Sequence, residues 1–98
     1  MEKEVILTKR FLRDLENVYE YLLTNWSAKI AFDFLIKVEG KIKTIRRYPE
    51  SGRPSTQKRG VMSIEVKPHN RIYFRQTDLS VRILALIDMR QSPSKNPY

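Results

Sequence analysis

The sequence has no cysteine, three glycines and a single histidine in its 98 residues, and each scarcity closes off a class of chemistry. Without cysteine there is neither a disulfide framework nor a thiolate metal site, which fits a reducing compartment. The one histidine, His69, has no second ligand at a recognised spacing. It reads as a surface-turn residue, and no metal or other cofactor is expected. Phosphate-cradling glycine loops and nucleophile elbows are missing, and nothing marks a serine near His69 for a hydrolytic triad. No apolar run approaches the ~20 residues that span a bilayer. The opening Met1-Glu-Lys-Glu lacks the apolar stretch of a secretion signal. The expectation is a soluble, cytoplasmic protein with no membrane partner.

Acidic residues are also in short supply. Eleven Asp and Glu against nineteen Lys and Arg leave a net charge of +8. That balance favours a polyanion, through counterion release, or an acidic protein, through electrostatic steering. Hydrophobic residues make up 41% of the chain, enough for one core, so 1–98 reads as a single domain.

Glu4-Val-Ile-Leu7 is a short β-prone run, and Thr8 is a fitting cap for the helix that follows. Phe11, Leu15, Val18 and Leu22 form one stripe, and Leu12, Tyr19, Leu23 and Trp26 its neighbour, on one broad helical face. Ser27 caps a second helix with the stripe Ala31, Leu35, Val38, Ile42, Ile45, widened by Ile30, Phe34 and Ile36. The pattern predicts helices over 9–25 and 28–46, folded back on each other as an antiparallel hairpin. Residues 48–60 are loop by composition. Beyond them the period falls to two, predicting strands over 61–67, 71–76 and 81–88, the last apolar on both faces. Gln91 to Tyr98 is a polar tail broken by prolines. The order β-α-α-β-β-β implies an α+β domain: a mostly antiparallel sheet with the hairpin on one face and the first strand beside the last. Leu15, Leu22, Ala31, Leu35, Val38, Ile64, Phe74 and Ile83 are the expected core.

The candidate chemistry is a set of cations. Lys67, Arg71 and Arg75 share one parity on adjoining strands, and Arg82 and Arg90 recur on the last strand and just past it. With helices on the other face, these groups would converge on an open groove, where arginine forks could bind phosphate or stabilise a phosphoryl transition state. Tyr73 and Tyr98 could stack on bases. A half-exposed sheet with alternate solvent-facing cations would show the same pattern, so residues alone leave both readings open.

Four stretches together resemble the RelE/ParE toxins of type II toxin–antitoxin systems. Phe11-Leu-Arg-Asp-Leu-Glu-Asn-Val-Tyr-Glu-Tyr-Leu with Trp26 and Ala31 is similar to the helical hairpin of ParE-type members. Tyr48-Pro-Glu-Ser-Gly-Arg-Pro resembles the loop after it, Arg71-Ile-Tyr-Phe-Arg75 the central strand, and Ile83 to Pro93 the final strand with its trailing Arg-Gln-x-Pro. The resemblance implies a growth inhibitor neutralised by a cognate acidic antitoxin, which alone would bring it to operator DNA. It implies one of two targets: DNA gyrase for ParE-like members, or ribosome-bound mRNA, cut without metal by lysine, arginine and tyrosine side chains, for RelE-like members. In the second case Arg71, Arg90, Lys67 and Tyr98 would be catalytic. In either case Arg75, Arg82, Tyr73, Gln91 and Lys95 would contact antitoxin or target. The sequence departs from the RelE-like pattern. Ser63 and Glu65 stand where lysines are usual, and Tyr98 lies further past Arg90 than the family tyrosine. With the Tyr-Glu-Tyr hairpin and the Gly-Arg-Pro loop, this favours the ParE-like branch. A basic nucleic-acid-binding module with no toxic activity is the remaining alternative.

Overall fold

Thr8 and Ser27 do what their positions predict. The Thr8 side chain accepts the amide of Phe11 at 3.2 Å, and that of Ser27 the amide of Ile30 at 3.1 Å, each satisfying a donor that the first helical turn leaves free. In the computed structural model, which describes residues 3–98, β1 spans Glu4–Leu7, α1 Lys9–Asn25 and α2 Ala28–Arg47. A short 3-10 turn at Pro49–Ser51 and a two-residue strand β2, Arg53–Pro54, follow. The chain then makes β3 (Val61–Val66), β4 (Asn70–Gln76) and β5 (Ser80–Asp88). Among the described residues no helix is long and apolar enough to cross a membrane.

The strands form one sheet in the order β1-β5-β4-β3-β2. The expected meander is there, β3 against β4 and β4 against β5, both antiparallel. The first strand does lie beside the last, but parallel to it, so the sheet is mixed. The helical hairpin is the crossover that a parallel pair requires. The expected loop at 48–60 also contributes β2, with Arg53 opposite Ser63 and Pro54 opposite Met62. Proline is tolerated there because β2 is the sheet edge.

The main core lies between sheet and helices and includes Phe11, Phe34, Val38, Ile45, Val66, Ile72, Phe74, Val81, Ile83 and Leu86. A fully buried side chain of this size contributes roughly 1.5–3 kcal/mol. Ala31, Val38, Phe74 and Ile83 are buried as expected, whereas Leu15, Leu22, Leu35 and Ile64 are only partly so. Two helices cannot bury a face as broad as their apolar stripes. The second stripe of α1 is left outside, with Leu12 and Leu23 exposed and Trp26 66% exposed beyond them. On α2, Ile30, Phe32 and Ile36 are exposed as well.

The last strand has apolar residues on both sides because it contains a bulge. Tyr73 pairs with Ala85 and Phe74 with Ile83, leaving Leu84 as an extra residue on β5. Alternation therefore shifts there. Val81, Ile83 and Leu86 enter the main core, while Leu84, Ala85 and Ile87 belong to a cluster on the opposite face.

Candidate functional site

That opposite face is where the candidate chemistry collects. Val61, Tyr73, Ala85 and Ile87 are buried there, with Leu84 and Tyr98 packed against them. The segment after β5 covers part of this cluster, so the polar, proline-broken tail is folded back onto the sheet. Pro93–Lys95 form a 3-10 turn. Asn96 Nδ2 donates to the Tyr73 hydroxyl at 3.1 Å, and Gln57 Nε2 to the Asn96 carbonyl at 3.2 Å. The Ser55 hydroxyl donates to the Tyr98 carbonyl. The Tyr98 ring stacks on Tyr73, with centroids 5.5 Å apart and planes at 26°. The Lys58 ammonium stands 5.1 Å and the Arg10 guanidinium 5.9 Å from the Tyr98 ring centroid. The physical reason lies on the sheet. An apolar patch facing away from the helices is better covered than left wet, and one aromatic residue reaches it.

Arg71 enters the same cleft. The ladder sets it opposite Glu65, yet its Nε donates to Ser63 Oγ at 3.0 Å. Half-buried, it lines a cavity of about 210 Å³ together with Arg53, Ser55, Gln57, Tyr73 and Tyr98. Arg75 and Arg82 share this face and are direct cross-strand partners. Such like-charge pairs repel. Arg75 swings away to donate to the Arg59 carbonyl at 3.3 Å, in a turn where Gly60 has φ +82°. A Cβ at Gly60 would lie 2.8 Å from Arg75 Nη1, so both backbone angle and space call for glycine.

The other candidates lie elsewhere. Lys67 falls one residue past β3 and borders a groove with Lys37, Lys41 and Thr44 of α2. Arg90 is turned towards the helices and lines a cleft with Tyr21, Trp26, Ile30, Pro68 and His69. Its Nε and Nη2 fork the Asp88 carboxylate at 3.1 and 2.8 Å. Those hydrogen bonds hold the Asp88 carboxyl below its ordinary value and the Arg90 guanidinium above its own. Gln91 donates its backbone amide to the Asp88 carbonyl at 3.2 Å, and Lys95 is exposed on the 3-10 turn. The structure thus brings Arg71, Tyr73 and Tyr98 together, and places Lys67, Arg90 and Lys95 apart from them. Arg53, Ser55, Gln57, Ser63 and Asn96 complete the cleft and escape sequence reasoning, because a proline-rich loop and a polar tail carry no periodicity to place them. The one of them that lies on a periodic element is Ser63, a small polar residue that is buried on β3.

Residues 5–93 match the family described as ParE toxin of type II toxin-antitoxin system, parDE. The chain belongs to that family. Among solved structures, the chromosomal ParDE system from P. aeruginosa is similar with a TM-score of 0.78 at 18% identity, over 89% of this chain and 96% of that one. The RelBE2 toxin–antitoxin complex from Mycobacterium tuberculosis is similar with a TM-score of 0.64 at 22% identity, over 90% and 99%. The YoeB dimer from Staphylococcus aureus follows with a TM-score of 0.61 at 16% identity, over 87% and 94%. At these identities the likenesses show the shared fold. No curated protein matches the chain. As a ParE-family member it is the toxin of a type II toxin–antitoxin system, and the open-face cleft is a feature of a toxin fold.

Proposed function

We propose that this ParE-family toxin acts on DNA gyrase rather than on ribosome-bound mRNA. The observation that carries this reading is the separation of Arg71 from Arg90. One lies in the open-face cleft, while the other is committed to Asp88 and faces the helical hairpin. The open-face positions of β3 around Arg71 are Ser63 and Glu65, so neither cross-strand neighbour of Arg71 is a lysine that could take a proton from an attacking hydroxyl. Cutting a phosphodiester without metal needs such a group and a cluster of charges around the phosphate. Purified toxin should therefore inhibit supercoiling by gyrase and leave translated transcripts intact. Codon-placed cuts together with unchanged supercoiling would reverse the assignment. In favour of the nuclease reading stand the shared cleft of Arg71 and Tyr98 and the cations Arg53 and Lys58 beside it.

The same reading includes a cognate antitoxin, as in the toxin–antitoxin complex from M. tuberculosis. A net charge of +8 suits an acidic partner. An apolar groove of about 540 Å³ runs past Leu7, Phe11, Leu15, Leu35 and Ile42, beside the free edge of β1. Lys43 and Arg46 flank it. An amphipathic acidic segment fits such a surface, adding a strand or laying a helix along it.

A further inference from the structure

The stacked pair Tyr73 and Tyr98 has the geometry of a binding platform with its seat taken. Tyr73 is buried on the sheet, its hydroxyl held by Asn96. Above it the Tyr98 ring has the place and spacing of a stacked planar group, flanked by the cations of Lys58 and Arg10. Beside the ring, Arg71 spends only its Nε, on Ser63. Among the described residues no partner is present for its two terminal nitrogens, and Arg53 lines the same cavity. An aromatic face next to two guanidinium groups is the chemistry that holds a base and its phosphate.

We propose that the open-face cleft is a nucleotide-binding site whose occupant in the free toxin is the protein's own Tyr98, so that the 92–98 segment is an internal strap. The strap is lightly fastened. Its ties to the rest of the chain include the stack, the Lys58 and Arg10 cations over the Tyr98 ring, the Ser55 and Gln57 hydrogen bonds and the Asn96 bond to Tyr73. None buries a large side chain in the main core, so an external ligand can compete with it. Ligand binding and strap binding are then mutually exclusive at Tyr73. The inference stands apart from the choice between gyrase and mRNA, since it concerns what the cleft accepts and not what the toxin stops.

The test uses the full chain with two probes, adenosine monophosphate by calorimetry and a labelled eight-nucleotide single strand by fluorescence anisotropy. Tyr98→Ala empties the seat, and Asn96→Ala loosens the strap while keeping the ring. Tyr98→Ala should bind the oligonucleotide at least roughly tenfold more tightly than the parent, with Asn96→Ala between them. Adding Arg71→Gln or Tyr73→Leu to Tyr98→Ala should remove the gain. Circular dichroism checks that each variant is folded. Should Tyr73→Leu disturb the sheet, Arg71→Gln carries the comparison alone, because its side chain is only half-buried. Tighter binding of the mononucleotide as well identifies a free nucleotide as a sufficient ligand. A gain confined to the oligonucleotide identifies a strand. The proposal is overturned if Tyr98→Ala binds both probes no better than the parent. It is equally overturned if the gain survives Arg71→Gln, since binding would then reflect net charge and not this cleft.

Discussion

Asp14 on α1 accepts the backbone amide of Leu86 on β5 at 3.0 Å, across 72 residues of sequence. The bond falls just past the bulge, where β1 has ended its pairing at Ile83 and the edge of β5 is left bare. Thr8 completes the repair, its hydroxyl donating to the carbonyls of Ile83 and Leu84 while its oxygen caps α1. Two polar residues at the start of the hairpin thus stand in for the missing end of a strand, and they fix the helices over the sheet.

Asp14→Ala should therefore destabilise the fold by about 1.5–3 kcal/mol, the range for a hydrogen bond to a charged group whose partner is left unsatisfied. Arg10→Ala, which removes the ion pair to the same carboxylate and the cation over the Tyr98 ring but leaves the Leu86 amide satisfied, should cost less, about 1 kcal/mol. Urea unfolding of the two variants gives the comparison. Equal losses would mean that the amide contact contributes little.

Two glycines should respond to alanine with opposite signs. A Cβ at Gly52 would stand 2.6 Å from Phe74 Cζ and 3.2 Å from Met62 Cβ. Phe74 is fully buried and has no room to retreat, so Gly52→Ala should cost about 1–3 kcal/mol. Gly40 lies inside α2, where an added methyl group would meet no neighbouring element within 4 Å. Gly40→Ala should therefore stabilise by about 0.5–1 kcal/mol. Thermal unfolding of both variants checks the pair of signs.

Asp88 gives a pH dependence. Its folded-state carboxyl is held below the ordinary value of 3.8, chiefly by the hydrogen bond from Arg90. The ion pair therefore contributes its full stability above about pH 4 and loses it as pH falls through the lowered folded value. Asp88→Asn should flatten this part of the acid limb in urea midpoints collected from about pH 2 to 6. High salt should weaken the effect in the parent, because Arg90 is exposed.

The elements are legible in the sequence because their signals are local. Stripes spaced by three and four, two capping residues and a change to period two place each helix and main strand within a residue or two of its observed ends. The bulge at Leu84 is not legible, since an extra residue in a strand that is apolar on both faces leaves the pattern unbroken. Parity misplaces two of the cations for a related reason. It projects Lys67 and Arg90 onto the open face, but one sits in a turn and the other just past a strand end, where alternation no longer governs direction. Arg71, inside a regular ladder, is where parity puts it. The docking of Tyr98 rests on a contact between residues 73 and 98 that no periodicity encodes.

Arg71 and Arg90 also separate the two readings of the toxin. If the open face cleaved RNA, Arg71→Ala would remove a charge-assisted contact to the scissile phosphate. The loss would be about 2.7–4 kcal/mol of transition-state stabilisation, a hundredfold or more in rate. Arg90→Ala would cost less, because its guanidinium is already bound to Asp88 and faces the hairpin. Under gyrase inhibition no transcript is cut, and the variants should be ranked by the surface each disturbs. Arg90 borders the exposed Tyr21 and Trp26, a larger apolar patch than any beside Arg71. Exposed aromatic residues beside an arginine are the usual anchors of a protein interface. Arg90→Ala and Trp26→Ala should therefore weaken gyrase inhibition by about tenfold or more, while Arg71→Ala leaves it within about threefold, each variant keeping its helix content. The opposite ranking, with Arg71→Ala inactive and Trp26→Ala fully active in the supercoiling assay, would move the working surface to the open face and with it the case for a nuclease.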